Sequence, residues 1–417
     1  MIGVFAAAAF LRPIMSSSLQ QHLRQAMRLT LAGRLDEATA VIQQAMSEAA
    51  AEGAAAPPAS AASATEPPAV AAATPLRWSA DAAPRVLDGV RFGAADASPA
   101  AREERAGPGI FTEAMYREGP RQGRYKLYVP PGHVGRLLPL VVMLHGCTQD
   151  ADSFATGTAM NERAREQGFF VLYPEQSRQG NGARCWNWFK PAHRQRGSGE
   201  PALIAGMTQA VMQRHGIDTR RVYVAGLSAG GAMATIVAAA YPEVFAAVGV
   251  HSGPTGDAAD TFAAAMIAAV PESPIAARRA AVAAAAAAAA EAAPVRFVPT
   301  IVFHGDHDAV VPPINGEHLI TKALQALRGG DASSSEAPGP ARQERTERGA
   351  AAGRRGYTRT VHADVDGASR AEHWLVHGAG HAWSGGQGLA SYTDPYGPDA
   401  SGEMLRFFAE HPLAPTP

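Results

Sequence analysis

The stretch Val222-Tyr-Val-Ala-Gly-Leu-Ser-Ala-Gly-Gly-Ala-Met-Ala234 decides the fold of this chain. It places the pattern Gly-x-Ser-x-Gly, centred on Ser228, between an apolar strand and a helical segment. Such a turn strains the serine backbone, and side chains at Gly226 and Gly230 would collide with neighbouring backbone. The Ser228 hydroxyl then lies at the carboxyl end of the strand, beside a helix N-terminus that favours a developing anion. An ordinary Gly-rich turn is the alternative, but the flanking strand and helix favour a nucleophilic serine.

Apolar strands alternate with helical segments on both sides of this stretch. The run Leu138–Leu144 is continuously apolar, as in a strand buried on both faces, and residues 124–129 alternate like an early antiparallel strand. Further strands are predicted at 169–173, 222–225, 246–250, 300–303 and 372–376, with helices at 159–167, 202–215 and 229–240. This alternation predicts an α/β fold, in which a mainly parallel sheet carries helices on both faces.

The rest of the chain lacks this alternation of strands and helices. Residues 1–51 carry apolar side chains at helical spacing and predict an N-terminal helical hairpin. Residues 52–118 are rich in Ala and Pro and predict a disordered linker, so the folded domain is expected to span 119–412. Within that domain, the Ala-rich residues 257–294 predict an inserted helical lid or a mobile excursion, and residues 329–371 predict a disordered surface loop.

Composition excludes several classes of protein. Lys and Arg number 37 against 38 Asp and Glu, so nothing favours binding to nucleic acid or to an acidic membrane surface. No stretch approaches the roughly 18–20 apolar residues of a membrane span. The apolar N-terminus lacks a preceding basic residue and matches a secretory signal poorly. Cys147 and Cys185 are the only cysteines, which excludes a four-cysteine zinc site and leaves open one disulfide or two free thiols.

A nucleophilic serine needs a base, and a carboxylate must orient that base. In the hydrolases that carry Gly-x-Ser-x-Gly at such a strand-to-helix turn, the chain order is Ser, acid, His. The segment His304-Gly-Asp-His-Asp308 follows the strand at 300–303 and places two acids in a post-strand turn. We predict Asp308, which lies deeper in the loop, as the acid, and we expect Asp306 to cap the turn.

Three histidines are candidates for the base. His381 follows the last strand in a glycine-flanked loop and is the predicted base, because such a loop can carry the imidazole over Ser228. His377 lies at the strand end and is expected to be structural. His373 is expected to point off the sheet.

The segment Leu144-His-Gly-Cys-Thr-Gln149 follows the buried strand. Hydrolases place one oxyanion donor in this loop and pair it with the N–H after the nucleophile. The backbone N–H groups of Cys147 and Ala229 are therefore the predicted oxyanion donors, and His145 is expected to hold the loop. No metal or organic cofactor is needed for this chemistry.

An aromatic cluster, Arg184-Cys-Trp-Asn-Trp-Phe189, follows a Gly- and Asn-rich loop. Burial in the core is the commoner fate of Trp and Phe, but this position predicts the rim of the site, where flat apolar side chains suit an aliphatic ester. Trp186, Trp188 and Trp383 are the predicted substrate-binding residues. Cys185 could bridge to Cys147 and pin the oxyanion loop.

Together these loops resemble the poly(3-hydroxybutyrate) depolymerase family of esterases, which has feruloyl and acetylxylan esterase relatives. The matching segments lie at 144–149, 171–175, 185–188, 226–231, 304–308 and 380–383. The resemblance implies an α/β-hydrolase fold with Ser228 as nucleophile, Asp308 as acid and His381 as base. It also implies Cys147 and Ala229 as oxyanion donors. Family members are generally extracellular, which is compatible with a Cys147–Cys185 disulfide.

The resemblance implies a serine esterase acting on short-chain polyhydroxyalkanoate or its oligomers. The family's threonine-rich linker and polymer-binding domain are not recognised, so short oligomers or small esters are expected rather than insoluble polymer. A feruloyl or acetylxylan esterase, or a peptidase on the same fold, is the alternative, because specificity depends on the rim loops. A binding protein that docks through the N-terminal hairpin is the rival from another class. A cytoplasmic location is the alternative to export, and the oligomeric state stays open.

Overall fold

The computed structural model describes residues 107–255, 297–331, 343–350, 353–365, 367–388 and 390–415. The predicted N-terminal hairpin, the linker as far as residue 106 and the Ala-rich segment 257–294 lie outside the described residues. The account below concerns the described ranges.

Ten strands form the main sheet in the described part of the chain. In chain order they are β1 (Ile110–Glu118), β2 (Arg121–Val129), β3 (Leu138–Leu144), β4 (Phe170–Pro174), β5 (Ile217–Leu227), β6 (Ala247–His251), β7 (Thr300–Gly305), β8 (Gln343–Gly349), β9 (Tyr357–Ala363) and β10 (Ser369–Val376). Their order across the sheet is β1-β2-β4-β3-β5-β6-β7-β10-β9-β8. The strands from β4 to β10 in this order run parallel, and an antiparallel pair flanks them on each side. The predicted mainly parallel sheet is confirmed.

Helices cover both faces of this sheet. They are α1 (Ala151–Thr158), α2 (Met160–Gln167), α3 (Gly199–Arg214), α4 (Ala229–Ala240), α5 (Ile314–Asp331) and α6 (Ala400–Glu410). Successive side chains of a strand point to opposite faces. Accordingly, Leu140 and Val142 of β3 share one core with residues of α3 and α4, whereas Val141 and Met143 share the other with α1, α2 and α6. Every residue of β3 is buried, as its continuous apolar run predicts.

The predicted start of the domain at residue 119 is wrong, because β1 already belongs to the sheet. It pairs antiparallel with β2 along its whole length, from Ile110 opposite Val129 to Glu118 opposite Arg121. As an edge strand it leaves most of its side chains exposed or half-buried. It therefore lacks the apolar signal of a core strand, although a two-residue turn to β2 fixes its position.

The prediction of a disordered loop at 329–371 is also wrong in large part, since β8, β9 and the start of β10 lie within it. β8 is almost wholly exposed, and it is held against β9 by ion pairs instead of by a periodic apolar face. Arg359 of β9 bonds Glu347 of β8 at 2.8 Å and the fully buried Glu372 of β10 at 2.9 Å. Arg406 of α6 reaches the other oxygen of Glu372 at 2.7 Å, so one carboxylate joins this edge of the sheet to a helix.

The turn from β5 into α4 depends on two glycines. A Cβ on Gly226 would lie 2.4 Å from the carbonyl carbon and oxygen of Gly230. A Cβ on Gly230 would lie 2.0 Å from the carbonyl oxygen of Leu144 and 2.5 Å from that of His145. Real Cβ atoms do not approach backbone this closely, so only glycine lets α4 begin against the end of β3.

We expect Gly230→Ala to lower the free energy of unfolding by about 1–3 kcal/mol, because the added methyl group must displace the backbone at the end of β3. Chemical denaturation of purified protein measures this. Gly182→Ala is the matched control, since nothing lies within 4 Å of a Cβ at that position. Equal stability of the two variants would contradict the steric account of the turn.

Candidate active site

Ser228 lies between β5 and α4 with φ 57° and ψ −123°, a conformation that L-residues rarely adopt. Its backbone N–H donates to the carbonyl of His251 at 2.9 Å, which ties the turn to the end of β6. The residue is half-buried, and α4 begins at the next position. The structure therefore places Ser228 in the strained strand-to-helix turn that the motif predicts.

Asp308 and His381 are joined across two loops. Asp308 follows β7 and His381 follows β10, and β7 pairs parallel with β10, so both loops leave the same edge of the sheet. His381 Nδ1 lies 2.8 Å from Asp308 Oδ2. A carboxylate accepts at this distance, so Nδ1 carries the proton and Nε2 is left to act as a base. No hydrogen bond joins the Ser228 hydroxyl to His381 among the described residues; such contacts often tighten only when substrate binds.

The Asp308 carboxylate is held by more than His381. Its Oδ1 accepts from the backbone N–H groups of Val310 and Val311 at 2.9 and 2.8 Å. Burial alone would raise its pKa, but hydrogen bonds from His304, His381 and the Val311 N–H hold the pKa well below its usual range. The side chain is therefore a fixed anion beneath the His381 imidazole.

His304 has a role that sequence reasoning missed. It is fully buried at the end of β7, and its Nε2 lies 2.8 Å from the Val311 carbonyl and 3.5 Å from Asp308 Oδ2. The carbonyl accepts, so Nε2 carries the proton and fixes the loop that presents Asp308. The spacing of four residues between His304 and Asp308 was the available signal.

Asp306 and His377 form a pair of their own. His377 Nδ1 lies 3.1 Å from Asp306 Oδ2, and the Gly378 N–H donates to Asp306 Oδ1 at 2.7 Å. His377 Nε2 lies 3.0 Å from the Thr358 hydroxyl on β9. The pair therefore clamps the two loops that carry Asp308 and His381 together and adds a tie to β9.

The loop after β3 contains the first predicted oxyanion donor, the amide of Cys147. The N–H groups of Gly146, Thr148 and Gln149 all donate within the protein. In contrast, the N–H groups of Cys147 and of Ala229, at the start of α4, have no acceptor among the described residues. These two donors are the ones that the sequence predicts for an oxyanion.

The buried side chain of His145 holds this loop in place. Its Nδ1 lies 2.8 Å from the Gly146 carbonyl, and its Nε2 accepts from the Gln176 N–H at 3.1 Å. Burial lowers the pKa of His145 to about 4, so the ring stays neutral and can accept at Nε2. The structure thus gives His145 the supporting place that we expect from the sequence.

Cys147 and Cys185 form a disulfide in the structure. The bond joins the loop after β3 to the aromatic segment that follows β4. The Thr148 N–H donates to the Ala183 carbonyl at 2.7 Å and adds a second link between the same two segments. The covalent bond therefore restrains the residue whose amide is the predicted oxyanion donor.

His251, at the end of β6, is a second residue that sequence reasoning missed. Its carbonyl accepts from Ser228, and its Nε2 accepts from the N–H of Ser384, just after His381, at 2.9 Å. Burial, with smaller contributions from His304 and His381, lowers the pKa of His251 to about 3. The neutral ring thus connects the turn of Ser228 to the segment that follows His381.

The prediction that Trp186, Trp188 and Trp383 bind substrate is wrong, because all three are buried, with exposed fractions of 1%, 7% and 1%. The indole N–H of Trp186 donates to the His145 carbonyl at 3.1 Å, and that of Trp383 to the Ser401 hydroxyl at 3.0 Å. Their rings complete the two cores and support the site loops from within, which is the commoner fate of Trp.

Other kinds of site find no support in the described ranges. No group of three or more His, Cys, Asp or Glu side chains there is arranged to hold a metal ion. Within the same ranges, no helix combines the length and the hydropathy that a bilayer-spanning segment needs.

Part of this sequence is similar to the sequences of known esterases and depolymerases. The chain is 43% identical over 128 residues to poly(3-hydroxyalkanoate) depolymerase C of Paucimonas lemoignei, which covers 30% of each chain. It is 38% identical over 115 residues to feruloyl esterase B of Neurospora crassa, covering 27% of this chain and 38% of the relative. The matched region thus spans only about a third of the length of these relatives.

A solved structure supports the same fold. Acetyl xylan esterase from Aspergillus awamori superposes with a TM-score of 0.50 at 21% identity, covering 72% of this chain and 99% of that chain. Residues 123–347, more than half of the 417 residues, match the family described as esterase PHB depolymerase. The resemblance seen in the loops is confirmed: the chain belongs to the poly(3-hydroxybutyrate) depolymerase family of esterases and has the α/β-hydrolase fold.

Proposed function

We propose that this protein is a serine esterase that hydrolyses carboxylic esters through an acyl-enzyme. The observation that carries the proposal is the 2.8 Å contact between His381 Nδ1 and Asp308 Oδ2, at the sheet edge where Ser228 occupies its strained turn. A base oriented by a buried carboxylate is what a serine hydroxyl needs to become a nucleophile.

In the first half-reaction, the Ser228 oxygen attacks the ester carbonyl carbon and its proton passes to His381 Nε2. The carbonyl oxygen becomes an oxyanion and accepts from the N–H groups of Cys147 and Ala229. The carbon–oxygen bond to the alcohol then breaks, and His381 returns the proton to the leaving oxygen. In the second half-reaction, His381 removes a proton from water while the water oxygen attacks the acyl carbon. The bond from that carbon to the Ser228 oxygen then breaks, the acid is released, and His381 returns the proton to Ser228.

Asp308 acts through electrostatics and orientation. The hydrogen bonds that depress its pKa keep it ionised while His381 is protonated, so it stabilises the imidazolium without taking the proton. Both amides belong to restrained backbone, one beside the Cys147–Cys185 disulfide and the other in the first turn of α4. Donors fixed in this way contribute on the order of 3–4 kcal/mol each to transition-state stabilisation.

Short-chain polyhydroxyalkanoate, or oligomers of 3-hydroxybutyrate, is the substrate class we propose. It is supported by the family and by the similarity to a poly(3-hydroxyalkanoate) depolymerase. Feruloyl and acetylxylan esters form the second candidate class, supported by the feruloyl and acetylxylan esterase relatives. The partner is thus an ester substrate in either case.

We expect Ser228→Ala to lower kcat/KM for p-nitrophenyl butyrate by about 10⁴-fold or more, because the nucleophile is lost. Asp308→Asn should lower it by roughly 10³–10⁴-fold through loss of the oriented tautomer. Asp306→Asn is the comparison and should lose far less activity, since Asp306 bonds His377 instead of His381 and the amide keeps an oxygen that can accept from the Gly378 N–H. Wild-type activity in Ser228→Ala would end the proposal, and the reverse ranking of the two aspartates would exchange their roles.

The substrate class is decided by direct comparison. Release of 3-hydroxybutyrate from oligomers, ferulate from methyl ferulate and acetate from acetylxylan is measured with one enzyme preparation, and Ser228→Ala provides the blank. We expect the largest kcat/KM with the hydroxybutyrate oligomers. Faster release of ferulate or acetate would assign the enzyme to the second class.

We further propose that the protein works outside the cytoplasm, where the Cys147–Cys185 disulfide persists. Reduction of this disulfide, which closes a sequence separation of 38 residues, is expected to lower the free energy of unfolding by about 2–4 kcal/mol. It should also lower kcat, because the Cys147 amide loses its restraint. Denaturation and ester hydrolysis with and without dithiothreitol measure both effects.

Cys185→Ala provides the control for the reductant. This variant should resemble the reduced wild type and respond no further to dithiothreitol. Two titratable thiols in the native protein before reduction would contradict the disulfide and, with it, this argument for export.

A further inference from the structure

Tyr392 is the exposed aromatic residue that borders the proposed catalytic groups. It precedes the short strand Thr393–Asp394, which pairs in parallel with Trp383–Ser384. Its side chain is 44% exposed, in contrast to the buried tryptophans that the sequence suggested for substrate binding. Its ring stands edge-on to the His381 ring, with 6.3 Å between the ring centroids.

The same side chain also reaches the loop that carries the proposed oxyanion donor. The Tyr392 hydroxyl lies 3.4 Å from the hydroxyl of Thr148, the residue that follows Cys147. Thr148 is itself exposed and donates to the Cys147 carbonyl at 2.6 Å. The Tyr392 side chain thus lies between the proposed base and the loop of the proposed oxyanion donor.

The backbone of Tyr392 is strained and firmly held. Its φ is 55°, in the left-handed region that few residues other than glycine adopt. Its carbonyl accepts from the Trp383 N–H at 2.7 Å, and Gln149 donates to the carbonyl of Ser391 at 3.1 Å. Strain of this kind persists only where the surroundings enforce it, and it concentrates at ligand-binding sites.

We propose that Tyr392 is a specificity-determining residue whose ring binds the alcohol portion of the ester. The inference rests on the proposed function, because it takes His381 as the group that protonates the leaving oxygen. That oxygen must lie against His381 Nε2, so the alcohol attached to it leaves alongside the ring that borders His381. Alcohols with a flat apolar face, above all aryl alcohols, fit an exposed tyrosine ring.

This placement predicts which step the ring affects. The alcohol is present only during acylation and has left before water attacks the acyl-enzyme. A contact to the alcohol therefore changes acylation and leaves deacylation unchanged. A purely structural role for Tyr392 would disturb His381 in both steps, because the same imidazole serves both.

The test uses Tyr392→Asn, which removes the ring but keeps a residue type that tolerates left-handed backbone. We expect kcat/KM for p-nitrophenyl acetate to fall roughly three- to tenfold relative to methyl acetate. Comparing the two acetates within each variant cancels their different reactivity. Deacylation of the common acetyl-enzyme, measured as the steady rate after the burst, should stay at the wild-type value.

Two further variants separate the ring from its surroundings. Tyr392→Phe keeps the ring and should keep the preference for the aryl acetate. Tyr396→Asn removes another exposed tyrosine, four residues later, and should leave all rates unchanged. An equal loss in Tyr392→Phe would show that the hydroxyl contact to Thr148 matters instead, and slower deacylation in Tyr392→Asn would show a structural role. Either outcome overturns the proposal.

Varying the acyl group tests whether Tyr392 contacts the alcohol or the acyl part of the ester. The dependence of kcat/KM on acyl length, measured with p-nitrophenyl acetate to octanoate, should keep its shape in Tyr392→Asn. A changed acyl profile would place Tyr392 in the acyl pocket and overturn the assignment to the alcohol. Failure of the proposed function shows itself separately, as wild-type activity in Ser228→Ala.

Discussion

The contact between the first turn of α4 and the end of β3 is the constraint on which the site depends. Gly230 lies so close to the Leu144 carbonyl that no side chain fits between them. The contact brings the Ala229 amide towards the loop that contains the Cys147 amide, and it forces Ser228 into its strained turn. The proposed nucleophile and the two proposed oxyanion donors thus depend on one steric condition.

The order of the strands brings the remaining groups together. β5, β6, β7 and β10 are neighbours and run parallel, so the residues that follow them meet at one edge. Two Asp–His pairs bridge the loops after β7 and β10: Asp308 with His381, and Asp306 with His377. The second pair holds the loops in the alignment that the first pair needs. The strand order brings the two loops close together, and these hydrogen bonds fix the positions of their side chains.

Local patterns let the sequence predict the central strands and the loops that end them. The apolar run of β3 and the strand-turn-helix context of Ser228 are signals within a few residues. The edge strands β1 and β8 were not predicted, because their side chains are largely exposed and show no apolar periodicity. The burial of Trp383 and the place of Tyr392 depend on partners far away in sequence, such as His251 and Thr148. No local pattern reveals such contacts.

Buried neutral histidines link this geometry to pH. His145 and His251 each accept a backbone N–H at Nε2, which only an unprotonated nitrogen can do. Burial lowers their pKa values from 6.5 to about 4 and about 3. Between these values and 6.5 the unfolded chain binds protons that the folded chain does not. The stability they contribute is therefore complete above about pH 6.5 and is lost as the pH falls towards 4 and 3. His145 supports the loop of Cys147, and His251 supports the segment that follows His381. Protonation of these two rings breaks the hydrogen bonds that they accept. The loss of stability at low pH therefore comes with a loss of the positions of the proposed base and oxyanion donor.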